Sequence, residues 1–283
     1  MMKGSVSVTP VMLTYNEENN LDTTLASLDW AERVVVLDSG STDRTQSIAR
    51  SFSNVAWFVR SFDDHCSQWQ YAIHETSVTT EYVLALDADM RPSCGFLDEL
   101  RERFVGRTFA GACVPFEFRI VGRALYGSIY PAQVRIFRRN SVHVRQVGHT
   151  QVFAVNGPLY RFRSKLIHED RKPVSRWLEN QMTYASLEAA RIMESRTRSL
   201  KDRLRLAGIS PAIWATYAYI KAGGPWKSPA SRAYAYERLM FEALLSRLLA
   251  NEPPRCDYCP RQGGEILGGD AGKLPIGRRS NVG

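Results

Sequence analysis

Long apolar runs are missing from this chain. No stretch reaches the roughly 20 apolar residues that a membrane-spanning helix needs. The nearest, residues 206–220, is uncharged but short, and Pro211 interrupts it. The opening MMKGSVSVTP has a single lysine and no apolar core, so no secretory leader is expected there. Cysteine is scarce as well: five in 283 residues, without a framework spacing, which fits a reducing compartment and makes the cytoplasm the expected address. Cys256 and Cys259 form one C-x-x-C, but a structural zinc site needs four ligands and no second pair follows. The pair is therefore read as part of a tail. Negative charge is also in deficit, and the net charge of +8 favours anionic partners such as nucleotides or an acidic membrane surface. The basic residues are dispersed and form no recognised motif, which argues against a nucleic-acid-binding module. With 44% apolar and 23% charged residues, disorder is excluded and a substantial core is expected.

The first half is rich in short apolar runs separated by helix-length segments. Residues 11–15, 33–40, 54–59 and 81–89 are continuous rather than alternating, as befits strands buried on both faces of a parallel sheet. Residues 19–28, 41–52 and 68–77 are long enough for crossover helices. Ser41 or Thr42 with Asp43 offers a start for the second of them. The alternation predicts a doubly wound, Rossmann-like α/β core. An amphipathic helix is expected over 93–104, with further strands over 111–123 and 133–139. From Pro173 onward the chain reads as helical. Leu178, Met182, Ala185, Ala189 and Ile192 recur at helical spacing as a core-facing stripe. Ser210-Pro211 and Ser228-Pro229 read as helix starts.

In an open α/β sheet, ligands bind beyond the carboxyl ends of the strands. Those ends read Thr14-Tyr15-Asn16-Glu17, then Asp38 to Asp43, then Asp87-Ala88-Asp89. Two carboxylates at i and i+2 leaving a strand can share one divalent cation, which removes the like-charge penalty. Mg²⁺ is commonly held by one or two carboxylates plus phosphate oxygens, so a metal-bridged diphosphate is the natural ligand.

YNEE after the first strand, LDSGSTDRT after the second and LALDADM after the fourth resemble a family 2 glycosyltransferase of the GT-A fold. Within that family the chain is similar to enzymes that add sugars to lipopolysaccharide core or other lipid-linked glycans, and the likeness covers about residues 7–245. The resemblance implies an inverting, metal-dependent transfer from a nucleotide-diphosphate sugar, with UDP-hexose the family's commonest donor. It implies Mg²⁺ or Mn²⁺ as cofactor. By position, Thr14, Tyr15, Asn16 and Glu17 would line the base and ribose pocket, Asp38 would contact the nucleoside, and Gln68 stands in a nucleotide-side segment. Asp87 would sit near ribose and metal, Asp89 would bind the metal, and His168 would reach the metal or diphosphate. The segment QWQYA carries Gln70 where relatives have Asn.

The acceptor half is less defined. Relatives carry a His-Glu pair where this chain reads His149-Thr150, and threonine cannot serve as a base at neutral pH. Glu169 and Asp170 are the expected base, with His149 as acceptor contact or alternative base. The competing reading of Glu169 and Asp170 is a helix-entry cluster paired with Arg171 and Lys172. Arg135 and Arg139 share a strand face that could neutralise a diphosphate or form an exposed cationic surface. The domains expected are 1–172 for donor binding and catalysis, 173–252 for a helical region, and 253–283 for a tail. Trp214, Tyr217, Tyr219, Trp226, Tyr234 and Tyr236, interleaved with Lys221, Lys227, Arg232 and Arg238, suggest peripheral contact with the inner face of the cell membrane. A dehalogenase-type phosphatase carries D-x-D on its first strand, not its fourth. A nucleotidyltransferase has a glycine-rich loop where this chain has YNEENN. A catalytically inactive scaffold is the remaining alternative.

Overall fold

The computed structural model describes residues 7–147, 150–195, 197–227 and 229–251. His149, Ser228 and the tail with Cys256 and Cys259 lie outside them. The first seven elements follow the alternation read from the sequence: β1 (Val8–Thr14), α1 (Leu21–Ala26), β2 (Val34–Asp38), α2 (Thr45–Arg50), β3 (Val55–Val59), α3 (His65–His74) and β4 (Tyr82–Asp87). Next come β5 (Met90–Pro92), α4 (Phe96–Glu99), β6 (Gly111–Val114), β7 (Phe116–Ile120), β8 (Arg123–Ala124) and β9 (Gln133–Arg138). A hairpin of β10 (Val142–Val147) and β11 (Thr150–Val155) precedes β12 (Leu159–Arg161) and β13 (Leu166–His168). The chain then turns helical, with α5 (Val174–Glu194), α6 (Leu200–Leu206), α7 (Ser210–Lys221), α8 (Gly224–Lys227) and α9 (Ala230–Asn251).

The main sheet runs β12-β6-β9-β4-β1-β2-β3, with β1 to β4 mutually parallel and β9 antiparallel to β4 and β6. Strand alternation divides its side chains between two cores. Val8, Met12, Val34, Val36, Leu84 and Leu86 face α1, α2 and α4, where Leu21, Leu25, Ala49 and Phe96 meet them. Val11, Val35, Leu37, Val83 and Ala85 face α3 and the β10–β11 hairpin, against Trp69, Ile73, Val144 and Phe153. Burial on both faces explains why the runs of β1, β2 and β4 are continuous; β3, expected to be buried likewise, is the sheet edge, half-buried, and leaves Val59 exposed.

Four expectations are revised. The helix over 93–104 is split, with α4 passing into a π-helical turn at Leu100–Phe104 that still buries Leu100 and Phe104. The strand over 111–123 breaks at Pro115, which has no backbone N–H for a ladder; β6 joins the main sheet and β7 a second one, ordered β5-β13-β7-β8. On α5, Ala185 and Ile192 are buried, but Leu178 (37% exposed) and Met182 (48%) face solvent. The stripe becomes core only where α9 covers it, through Phe241, Leu245 and Leu249. Ser210 is not a cap: it lies fully buried inside α7 and its hydroxyl donates to Glu242.

The β7–β8 hairpin carries a local strain. Its two-residue turn has Val121 at φ 49° and Gly122 at φ 74°, the left-handed pair of a type I′ turn. Glycine suits that region, whereas a β-branched residue does not, at a cost of roughly 1–2 kcal/mol. Val121 is 91% exposed, so no packing offsets it. Val121→Asn is expected to raise stability by about 1 kcal/mol, read as a higher urea midpoint at unchanged slope. An unchanged or lower midpoint would show that the turn bears no strain.

Candidate active site

The register sets the strand ends level: Thr14 pairs with Asp38 across β1–β2, and Leu13 with Asp87 across β1–β4. Two loops leave these ends and are laced together. The backbone N–H of Asn16 donates to Ser41 Oγ (2.8 Å), and Thr42 N–H donates back to Asn16 Oδ1 (2.9 Å). Asn16 adopts φ 56°, which asparagine tolerates better than most residues. Glu17 N–H donates to Thr45 Oγ1 and Glu18 N–H to Asp43 Oδ2. Asp43 also accepts from Thr45 N–H, so it starts α2 at Thr45 rather than at Ser41 or Thr42. Those earlier residues are engaged in the loop.

Several expected donor-side residues form the frame of the pocket. Asp38 is buried and accepts from the Thr14 hydroxyl (2.9 Å), Gly40 N–H, Ser41 N–H and the Ser41 hydroxyl. Gln68 is buried at the back of the same loop, donating to Ser39 Oγ and Arg60 O and accepting from Arg60. Gln70 is exposed on the outer side of α3. Tyr15 is 49% exposed, with the Arg176 guanidinium 5.8 Å from its ring centre.

Asp87 and Asp89 have different surroundings. Asp87 faces Arg135, whose Nη atoms lie 3.3–3.4 Å from its two oxygens. Arg135 is buried against Phe116, so the exposed cationic face expected for it does not exist; Arg139 reaches the carbonyl of Val78. Asp89 sits in the turn after β4. Its Oδ1 is buried without a hydrogen-bond partner among the described residues, and its Oδ2 lies 3.6 Å from His168 Nε2. Burial raises the Asp89 carboxyl above the usual carboxylate range; Asp87 adds to this and His168 opposes it. An orphaned buried carboxylate oxygen is rare in native proteins and has a short list of causes, a bound ion or water among them. No group of three or more His, Cys, Asp or Glu converges for a metal among the described residues. Asp89 and His168 fit a cation that takes its other ligands from a diphosphate and water.

The strand-end loop also meets the segment after β13. Glu169 N–H donates to Asp89 O, fixing the two segments side by side. Glu169 itself is buried and held by Arg91 (2.7 Å) and Arg171 (3.0 Å) through one oxygen; burial is outweighed by these two guanidiniums, which keep its carboxyl low. Asp170 accepts from Asn20 Nδ2 (2.9 Å) and from Lys172 N–H (3.1 Å). Lys172 Nζ lies 2.9 Å from Glu17 and 3.4 Å from Asp170, with only 9% of the side chain exposed. Two carboxylates thus share one buried ammonium. Lys172 is held strongly protonated by its carboxylate neighbours despite burial, and Asp170 stays below the usual range because Lys172 outweighs its own burial. Glu17 is pushed up to about 7 by burial, with Lys172 opposing and Asp89 adding.

Two helical residues stand in the field of these charges. Tyr184 of α5 is within reach of the charges of Lys172, Asp87, Asp89 and Glu17, and Glu237 of α9 within reach of Asp170. Neither carries a local sequence signal: Glu237 lies 67 positions from Asp170 and Tyr184 lies 95 from Asp89, so the packing of α5 and α9 decides their neighbours. Asn20 stands in the YNEENN segment and could have been read as a loop anchor.

A doubly wound sheet whose polar strand ends, D-x-D turn and late acidic segment meet at one end is the arrangement of the GT-A fold. Residues 9–166, more than half of the chain, match the family model for glycosyl transferase family 2, and the chain belongs to that family of enzymes. Among solved structures it is similar to S. aureus TarS 1-349 in complex with UDP-GlcNAc, at 13% identity over 86% of this chain and 90% of that one, with a TM-score of 0.46. It is also similar to glucosyl-3-phosphoglycerate synthase from Mycobacterium tuberculosis in complex with Mn²⁺, UDP and glucosyl-3-phosphoglycerate. There the identity is 14% over 70% of this chain and 82% of that one, with a TM-score of 0.44.

Proposed function

We propose that this glycosyltransferase moves a sugar, with inversion, from a nucleotide-diphosphate donor to a lipid-linked or cell-envelope glycan. UDP-hexose is the donor assigned. The observation that carries the donor half is the buried, unpartnered Oδ1 of Asp89 beside His168, at the crevice end of β4. Asp89 and His168 would hold a divalent cation, which when bound neutralises diphosphate charge. Asp87, steadied by Arg135, faces the ribose side, and the exposed ring of Tyr15 offers a surface for the base. Asp170 is the general base: it is ionised at neutral pH, the form that can accept the acceptor hydroxyl's proton. Glu169 anchors two arginines instead.

Peripheral membrane contact is supported by α7. Ile209, Ile213, Tyr217 and Ile220 are exposed at helical spacing, Trp226 is 88% exposed, and Lys221 lies 5.8 Å from the Tyr217 ring centre. No helix among the described residues is long and apolar enough to cross a membrane.

The donor reading is tested by thermal shift with UDP-, GDP- and dTDP-sugars in the presence of Mn²⁺. Stabilisation by a UDP-hexose is expected, and no stabilisation by any of them would sink the donor assignment. The membrane reading is tested by co-sedimentation with anionic phosphatidylglycerol vesicles, where Trp226→Ala should release protein. Equal sedimentation of both proteins overturns it.

A further inference from the structure

Asparagine is among the best N-cap residues, because its side-chain oxygen can accept an N–H of the first helical turn. Asn20 stands at the N-cap of α1, yet its side chain makes no cap bond. The carboxamide is committed elsewhere. Its Nδ2 donates to Glu17 Oε2 (3.0 Å) and to Asp170 Oδ1 (2.9 Å), and its Oδ1 accepts from the N–H of Arg171 (2.8 Å). Both donor hydrogens and the acceptor oxygen are thus in use, in a residue only 2% exposed. Two of the three bonds cross to the segment after β13, 150 and 151 positions along the chain. The side chain suited to cap α1 serves that segment instead.

What those bonds hold is one side of the Asp170 carboxylate. Asn20 Nδ2, the Lys172 N–H (3.1 Å) and the Lys172 ammonium (3.4 Å) all meet Oδ1. Oδ2 has no partner among the described residues, and the side chain is 27% exposed, so this oxygen is open to an incoming group. One oxygen anchored and the other presented is the geometry that a general base needs. Glu169, whose N–H donates to Asp89 O, keeps Asp170 one residue from the strand-end turn. The two anchors differ in kind. An ammonium on a flexible four-carbon stem attracts the carboxylate as a point charge and sets no plane. A planar carboxamide bonded at both ends fixes direction. Lys172 also lies 2.9 Å from Glu17, so the donor-side loop keeps a tie of its own without Asn20.

We propose that Asn20 is the positioning residue of the transfer step, aligning Asp170 so that Oδ2 meets the acceptor hydroxyl. The proposal rests on the reading of Asp170 as general base, and it adds the group that aims that base. As the acceptor oxygen bonds to the anomeric carbon, its proton passes to Oδ2. The bond from that carbon to the diphosphate oxygen breaks, and its electron pair leaves on the nucleotide diphosphate. Asn20 is buried and fully bonded, so it acts through Asp170 and not on either substrate. Its loss should slow the chemical step and leave donor binding intact.

The test uses the full chain, Mn²⁺ and the nucleotide sugar giving the largest thermal shift, and follows nucleotide diphosphate released with water or glycerol as acceptor. Asn20→Ala should lower kcat about ten-fold or more, with KM for the nucleotide sugar within about three-fold and the thermal shift retained. Asp170→Asn should lower kcat about 10²-fold or more. The double variant should match Asp170→Asn within about three-fold, because a residue that works through Asp170 then has nothing left to aim. Asn20→Ser, which can cap α1 but is too short to reach Asp170, should be as slow as Asn20→Ala, and it replaces that variant if alanine fails to fold. Single effects that multiply in the double variant, or a thermal shift lost in the Asn20 variants, overturn positioning in favour of a structural role. Wild-type kcat in the Asn20 variants beside a slow Asp170→Asn overturns it too. Wild-type kcat in Asp170→Asn, or a wild type that shows the thermal shift but releases nothing to either acceptor, overturns the base reading on which the proposal rests. Wild type without any thermal shift overturns the donor reading, so the failures are distinguishable.

Discussion

Asp89→Asn is expected to lose about 10³-fold of transfer activity while the ligand-free protein becomes more stable. The two effects have one cause. Asp89 is half-buried beside Asp87 with a buried oxygen that no described residue satisfies, an arrangement that costs folding free energy unless a ligand meets it. The sign follows from the carboxyl being raised above its unfolded value. Stability from such a group is fully present below the unfolded value near pH 4 and is lost as pH rises through the folded one. Asparagine has no charge to bury, so the variant should match wild type near pH 4 and exceed it at pH 7–8 by about 1–3 kcal/mol. For a domain of this size that is roughly 3–10 °C in melting temperature. The stabilisation that Mn²⁺ and a nucleotide sugar confer on wild type should vanish. A variant that melts lower than wild type at pH 7.5, or keeps its activity, removes Asp89 from the metal site.

The part of this site that could be read in the sequence is the part encoded locally. Strand ends occur at the ends of apolar runs, so Thr14, Asp38 and Asp87 fell on one crevice by periodicity alone, and the parallel register brings them level. D-x-D is likewise a local pattern. Division of labour within it was not local: Arg135 reaches Asp87 from an antiparallel strand 48 residues away, and its burial depends on Phe116. The same limit explains α5. Periodicity marked Leu178 and Ile192 as one face, but which turns of that face are covered depends on where α9 crosses. Pro115 was a visible strand breaker whose consequence, a second sheet carrying His168 beside Asp89, needed the topology. The pairing expected around residues 169–172 is present, Arg171 on Glu169 and Lys172 on Asp170; what was not local is the reach of Lys172 to Glu17, more than 150 positions earlier.

Lys172→Met should destabilise the protein by about 3–5 kcal/mol at pH 8 and by much less at pH 5.5. In wild type the ammonium lies between Glu17 and Asp170 and ties the strand-end loop to the segment after β13. Its own titration does not enter, because its protonated form is favoured in the folded state: its contribution is complete below about pH 10.5 and declines only above that. The pH dependence belongs to the carboxylates. Without the ammonium, both should bind protons more tightly when folded than unfolded, so the stability they leave is present near pH 5 and lost as pH rises through their raised values. Glu17 is already pushed up to about 7 with Lys172 present, and the variant should carry it higher. At pH 5.5 the carboxyls of the variant can stay neutral; at pH 8 they must be either ionised and unpaired or protonated at a cost. Urea unfolding at the two pH values measures the difference, expected as a melting-temperature deficit of roughly 10 °C at pH 8 in a parallel thermal scan. Transfer activity should fall about 10²-fold, since Asp170 would then be protonated for part of the time at neutral pH. Glu17→Gln placed on top of Lys172→Met should recover about half of the lost stability at pH 8, because it removes one of the stranded charges. Equal destabilisation at pH 5.5 and 8, with no recovery in the double variant, would mean that Lys172 acts by packing alone and does not organise the carboxylates.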